Sequence, residues 1–60
     1  MVRSRGKIID ATLDLIARDG FEGVTIAAAA GLAGVSRQTV HSIFGTREAL
    51  VSEAMADLTR

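Results

Sequence analysis

Apolar positions along this chain recur at helical spacing in four blocks, each closed by a glycine or opened by a hydroxyl residue. In the first block, residues 7–19, Ile8, Ile9, Leu13, Leu15, Ile16 and Ala17 are apolar. Ile9, Leu13 and Ile16 repeat at i, i+4, i+7, the spacing of one helix face. Asp10, Asp14 and Arg18 recur every four residues on another face, and an Asp14–Arg18 pair in this orientation supports a helix by roughly a few tenths of a kcal/mol. Gly20 supplies a left-handed stop, and Phe21 is expected to fold back onto the helix as a core anchor.

Thr25 has the side chain of an N-cap and opens a second helix over residues 26–33. Its four consecutive alanines are slim enough for a neighbouring helix to approach closely. Gly31, inside it, costs about 1 kcal/mol relative to alanine and is expected on an exposed face. Gly34 is a corner that tolerates positive φ, Val35 plugs that corner into the core, and Ser36 caps a third helix over residues 37–44. There Val40, Ile43 and Phe44 are expected to point inward, leaving Arg37, Gln38, Thr39, His41 and Ser42 on the other faces. Gly45 ends the third helix. Thr46 caps a fourth, which carries Leu50, Val51, Ala54, Met55 and Leu58.

A short apolar helix, a glycine corner and a serine-capped second helix with a polar outer face are the grammar of a helix-turn-helix. The expected fold is all-α: a three-helix helix-turn-helix domain of homeodomain-like arrangement, plus the start of a fourth helix. Residues 1–6 are expected as a basic arm, residues 7–45 as the DNA-binding domain, and residues 46–60 as a fourth helix leading to a C-terminal ligand-binding and dimerisation domain absent from this chain.

Composition narrows the chemistry. Sixty residues make one small domain, and the lack of cysteine excludes a disulfide or thiolate metal site. The single histidine, His41, builds no metal site alone, and no cofactor is expected. With no glycine-rich phosphate loop and no room for a substrate cleft, an enzyme is the poorest reading. The longest uncharged run, residues 23–36, is short of the roughly 20 apolar residues a spanning helix needs. Asp10 and Asp14 interrupt what would be a signal peptide's apolar region, so a soluble cytoplasmic protein is expected.

Net charge is zero, but it is unevenly spread. Arg3, Arg5 and Lys7 precede the first acid, and residues 23–47 carry Arg37, His41 and Arg47 with no acid at all. The acids gather at Asp10, Asp14, Asp19 and Glu22, then at Glu48, Glu53 and Asp57. Positive charge thus accompanies the arm and the helix-turn-helix. Zero net charge and the alanine-rich second helix also fit a rival: a small helical protein-interaction module that has lost DNA binding.

The residues also resemble the N-terminal DNA-binding domain of the TetR family of transcriptional regulators, over about residues 5–55. The family's first helix reads Ile-Leu-x-Ala-Ala-x-x-Leu-Phe, and this chain has Ile8-Ile9-Asp10-Ala11-Thr12-Leu13-Asp14-Leu15-Ile16, then Gly20-Phe21. The family's Thr-Val-x-x-Ile-Ala-x-x-Ala-Gly-Val-Ser is matched by Thr25-Ile26-Ala27-Ala28-Ala29-Ala30-Gly31-Leu32-Ala33-Gly34-Val35-Ser36. Thr39-Val40-His41-Ser42-Ile43-Phe44 and Thr46-Arg47-Glu48-Ala49-Leu50 follow in register with Thr-Leu-Tyr-x-x-Phe and Ser-Lys-Glu-x-Leu. Three positions depart: His41 replaces a tyrosine, Ala29 a branched aliphatic and Arg47 a lysine.

The resemblance implies residue roles. Arg37 and Gln38 stand where the family reads bases; arginine suits guanine O6 and N7, glutamine adenine N6 and N7. Ser42 is a further base-reading candidate one turn on. Thr25, Ser36, Thr39, His41 and Arg47 are expected at DNA phosphates, with Arg3 and Arg5 along the backbone or in the minor groove. Thr25, Ser36 and Thr46 are expected first as helix caps, and a cap can also touch a phosphate. The resemblance further implies a homodimer on a palindromic operator, most often a repressor, released by a small-molecule inducer bound in the C-terminal domain.

Overall fold

A computed structural model of the chain describes residues 3–59, with side chains from residue 4. Four helices follow one another: α1 (Arg3–Asp19), α2 (Ile26–Ala33), α3 (Arg37–Phe44) and α4 (Arg47–Leu58), with a single 3-10 turn, Phe21–Gly23, between α1 and α2. There is no strand among the described residues. α1 packs against α2 and α4, and α3 crosses α2. The radius of gyration, 10.0 Å, is that of a fully packed chain of this length, about 10 Å.

α1 begins at Arg3, so residues 3–6 are helix and not a free arm. A tertiary contact holds this first turn. The Arg5 guanidinium pairs with the Glu53 carboxylate of α4, and its central carbon lies 5.8 Å from the centroid of the Phe44 ring. A cation at that distance is attracted to the ring face.

The buried seam of α1 consists of Ile8, Ala11, Thr12 and Leu15, with Ile9 beside it. Leu13 and Ile16, expected at its centre, are only half-buried. Thr12 accounts for the difference. It is fully buried because its hydroxyl donates to the Ile8 carbonyl at 2.8 Å, leaving a methyl for the core. Read as polar, it hides the true stripe. The Asp14–Arg18 ion pair does not form; both side chains are exposed, where holding a pair costs rotamer entropy for little Coulomb gain.

Ile8 and Leu15 join Val24, Ala29, Ala30, Val40 and Leu50 in one cluster, with Ile16, Ile26, Val35, Phe44 and Val51 packed on it. The small Ala29 and Ala30 let α2 sit close on α1, as the alanine run suggested. Two expected core residues lie outside. Phe21 is 50% exposed, because the 3-10 turn carries it away from the helix it follows. Val24, in the link between the 3-10 turn and α2, is buried instead. Ile43 is 40% exposed, since α3 is short and its buried line runs through Val40 towards Phe44.

The corner forms as expected. Gly34 has φ 75° and ψ 31°, its N–H donates to the Gly31 carbonyl at 3.3 Å, and the Val35 N–H reaches the Ala30 carbonyl at 3.0 Å. These two bonds satisfy carbonyls that the end of α2 would leave orphaned. Gly31 is exposed, and its missing side chain faces open space.

Candidate nucleic-acid interface

The helix expected to read DNA is α3, eight residues fixed at both ends. At its start the Ser36 hydroxyl accepts from the Thr39 N–H at 3.1 Å, and at its end the Gly45 N–H donates to the His41 carbonyl at 2.8 Å. Val40 is fully buried and Phe44 half-buried, which pins one side of the helix to the core. With about 100° between successive residues, Gln38 and Ser42 then lie at the centre of the opposite side. Thr39 and His41 flank them, and Arg37 sits on the first turn. Arg37, Gln38, His41 and Ser42 are all exposed, and their side chains hold no partner among the described residues. The expected base-reading residues are therefore brought together on one short helix and left free.

Ser36 and Thr39 share more than the cap. Their hydroxyl oxygens lie 2.9 Å apart, and either can be the donor. Only one of the two hydroxyl protons is used between them, so the other can serve an outside acceptor such as a phosphate oxygen. Thr25 caps α2, accepting from the Ala28 N–H at 2.9 Å, and Thr46 caps α4, accepting from the Ala49 N–H at 3.0 Å. These hydroxyls accept through a lone pair and retain a proton to donate, so a cap and a phosphate contact are compatible.

The remaining cations are placed differently. Arg47, expected at a phosphate, is half-buried; its Nε donates to the Val24 carbonyl at 2.6 Å and its Nη2 donates to the Phe21 carbonyl. Arg5 is engaged with Glu53 and Phe44. Arg3 contributes backbone to α1, and its expected contact falls outside the described side chains. Nothing in the sequence pattern marks Glu53 or the carbonyls of Phe21 and Val24 as partners, because a carbonyl's orientation depends on the turn and not on its side chain.

No group of three histidine, cysteine, aspartate or glutamate side chains is arranged to hold a metal ion among the described residues. No helix among them is long and apolar enough to cross a membrane. An open hollow of about 350 Å³ lies between α1 and α2, lined by Lys7, Asp10, Ala11, Asp14, Leu32 and Ala33. Two carboxylates on its wall make it a poor place for a phosphate backbone.

Compared with known proteins, residues 8–54 match the family described as bacterial regulatory proteins, tetR family. The match runs from the buried start of α1 through the corner and α3 into α4. No curated protein and no solved structure matches the chain.

Proposed function

The chain belongs to the tetR family of bacterial regulatory proteins, and from that premise we propose that it reads a specific DNA sequence through α3. Membership supports a DNA-binding domain of a transcriptional regulator; the reading residues are those the family resemblance implies, and their exposure on α3 supports that assignment. The observation that carries the proposal is the exposed surface of α3: Gln38 and Ser42 on its outward side, His41 beside them and Arg37 on its first turn stand unengaged in a stretch free of acids.

In this reading α3 enters the major groove with Arg37 and Gln38 foremost. A bidentate arginine–guanine or glutamine–adenine pair contributes about 1–3 kcal/mol of discrimination against the wrong base. Ser42 follows one turn later. Thr25, Ser36, Thr39 and His41 donate to phosphates and set the register. Arg5 and Arg47 are left out of that set, because their guanidinium groups are engaged within the fold.

On the family pattern the regulator works as a homodimer on a palindromic operator. Residues 46–60 lead to a C-terminal domain that dimerises and binds a small inducer, and inducer binding moves the two reading heads and releases the DNA. Repression is the usual outcome of such an arrangement.

Fluorescence anisotropy tests the proposal, using this chain and a version joined to a coiled-coil dimeriser, against random duplex DNA with rising salt. Binding should weaken steeply, with a log–log slope growing by about 0.9 for each phosphate neutralised. It should weaken further in Arg37→Ala. Failure of the dimerised, helical protein to bind at low salt would overturn the reading and leave the protein-interaction module.

A further inference from the structure

We infer that Arg47 is a positioning residue for DNA binding: it clasps the turn that leads into α2, and so fixes the N-termini of α2 and α4 relative to α3. The inference rests on the DNA-binding reading above.

The clasp is defined by its acceptors. Nε of Arg47 donates to the Val24 carbonyl at 2.6 Å, and Nη2 donates to the Phe21 carbonyl. Val24 is fully buried and immediately precedes Thr25, the cap of α2. Its carbonyl lies ahead of the helix's own ladder. The first ladder bond runs from the Ala29 N–H to the Thr25 carbonyl at 3.0 Å, and the Ala28 N–H is already taken by the Thr25 hydroxyl. The amide four residues on from Val24, that of Ala28, is thus engaged by the cap, and Arg47 supplies a donor in its place.

The placement of the cation points the same way. Arg47 is the first residue of α4, where a positive charge opposes the helix dipole. The carbonyls it reaches offset that cost. Two acceptors three residues apart suit a planar fork with fixed donor directions, whereas an ammonium is a single point charge on a flexible stem. The residue thus joins the turn after α3 to the turn before α2, tying together the two ends of the α2–α3 unit.

A positioning role and a direct phosphate contact give different salt behaviour. Losing a direct contact lowers the salt slope by about one; losing a brace weakens binding while the number of neutralised phosphates stays the same. The test compares wild type, Arg47→Lys and Arg47→Met as coiled-coil dimers on random duplex DNA across a salt series. Thermal melts set a temperature at which each is folded, and amide hydrogen exchange is followed at residues 25–28. Both variants should bind about tenfold more weakly at unchanged slope, with faster exchange at Ala28. If Arg47→Met does not fold, Arg47→Lys carries the test.

Arg47→Lys binding like wild type while Arg47→Met loses one unit of slope would make Arg47 a phosphate ligand and overturn the inference. Equal binding by all three would overturn it as well. If wild type itself shows no salt-dependent binding, the DNA-binding reading fails and takes the inference with it, an outcome visible before any variant is compared.

Discussion

The two arginines that bracket the fold and the one on α3 are put to opposite uses. Arg5 and Arg47 bind inward, to Glu53 and Phe44 in one case and to two backbone carbonyls in the other. Arg37 stands exposed and holds nothing. The same contrast separates the helices that carry them. α1 and α4 contribute Ile8, Ile9, Ala11, Thr12, Leu15, Leu50 and Ala54 to the buried set, while α3 contributes Val40 alone. One side of the molecule turns Arg5 and Arg47 onto partners within the fold and carries most of the buried residues. The other leaves its donors to solvent, where an outside acceptor can take them.

Substitutions sharpen that contrast by separating stability from binding. The largest effect is expected at Leu50, which is fully buried. Leu50→Ala should cost about 2–5 kcal/mol. A core this small supplies about 3–5 kcal/mol in all, so circular dichroism melts should show loss of cooperative unfolding near room temperature. Phe21→Ala is the matching control. A ring half in solvent should cost under about 1 kcal/mol, and a loss like that of Leu50→Ala would mean the ring is a core anchor after all.

Gly23→Ala comes next. A Cβ at residue 23 would meet the Asp19 Cβ at 2.4 Å, so the turn must shift. The expected cost is about 1–3 kcal/mol by denaturant titration. No change would mean that the close approach of the turn to α1 is easily relieved.

Smaller again is the cap of α4. Thr46→Ala removes the acceptor for the Ala49 N–H and should lower stability by about 1 kcal/mol. The Arg5–Glu53 pair is smaller still, since both side chains are over a third exposed and solvent screens them. Glu53→Gln should cost under about 1 kcal/mol and less as salt rises. A large, salt-independent loss would show that the pair acts as a buried strut.

The smallest effect on stability belongs to the proposed reading face. Arg37→Ala and Gln38→Ala should leave the midpoint of unfolding within about 0.5 kcal/mol of wild type, while DNA discrimination falls. Destabilisation comparable to Thr46→Ala would place these side chains in the packed side and dissolve the contrast.

Much of this frame was legible in the sequence because its punctuation is chemical. Thr25, Ser36 and Thr46 act as caps wherever a helix begins, and Gly34 tolerates a corner that other residues resist. Gln38 and Ser42 on the outward side of α3 followed from the helical period, whereas Arg37 is exposed because it stands at the helix start. What escaped has a common cause: tertiary context changes a residue's apparent class. Thr12 is core once its hydroxyl bonds to its own helix, and Phe21 is surface because a turn intervenes. Arg5 and Arg47 read as free cations until Glu53 and two carbonyls are placed beside them. Pattern reading sees periodicity and caps; it does not see which carbonyl a turn aims at which guanidinium.

The central claim is that α3 presents a contact face which the rest of the fold holds rigid. Amide chemical-shift mapping of the dimerised protein titrated with duplex DNA tests it most directly. The account predicts shifts concentrated at residues 36–42 and at the N-termini of α2 and α4, with Ile8, Leu15 and Leu50 unmoved. Shifts centred instead on the Asp10 and Asp14 face of α1, or spread evenly through the core, would contradict it.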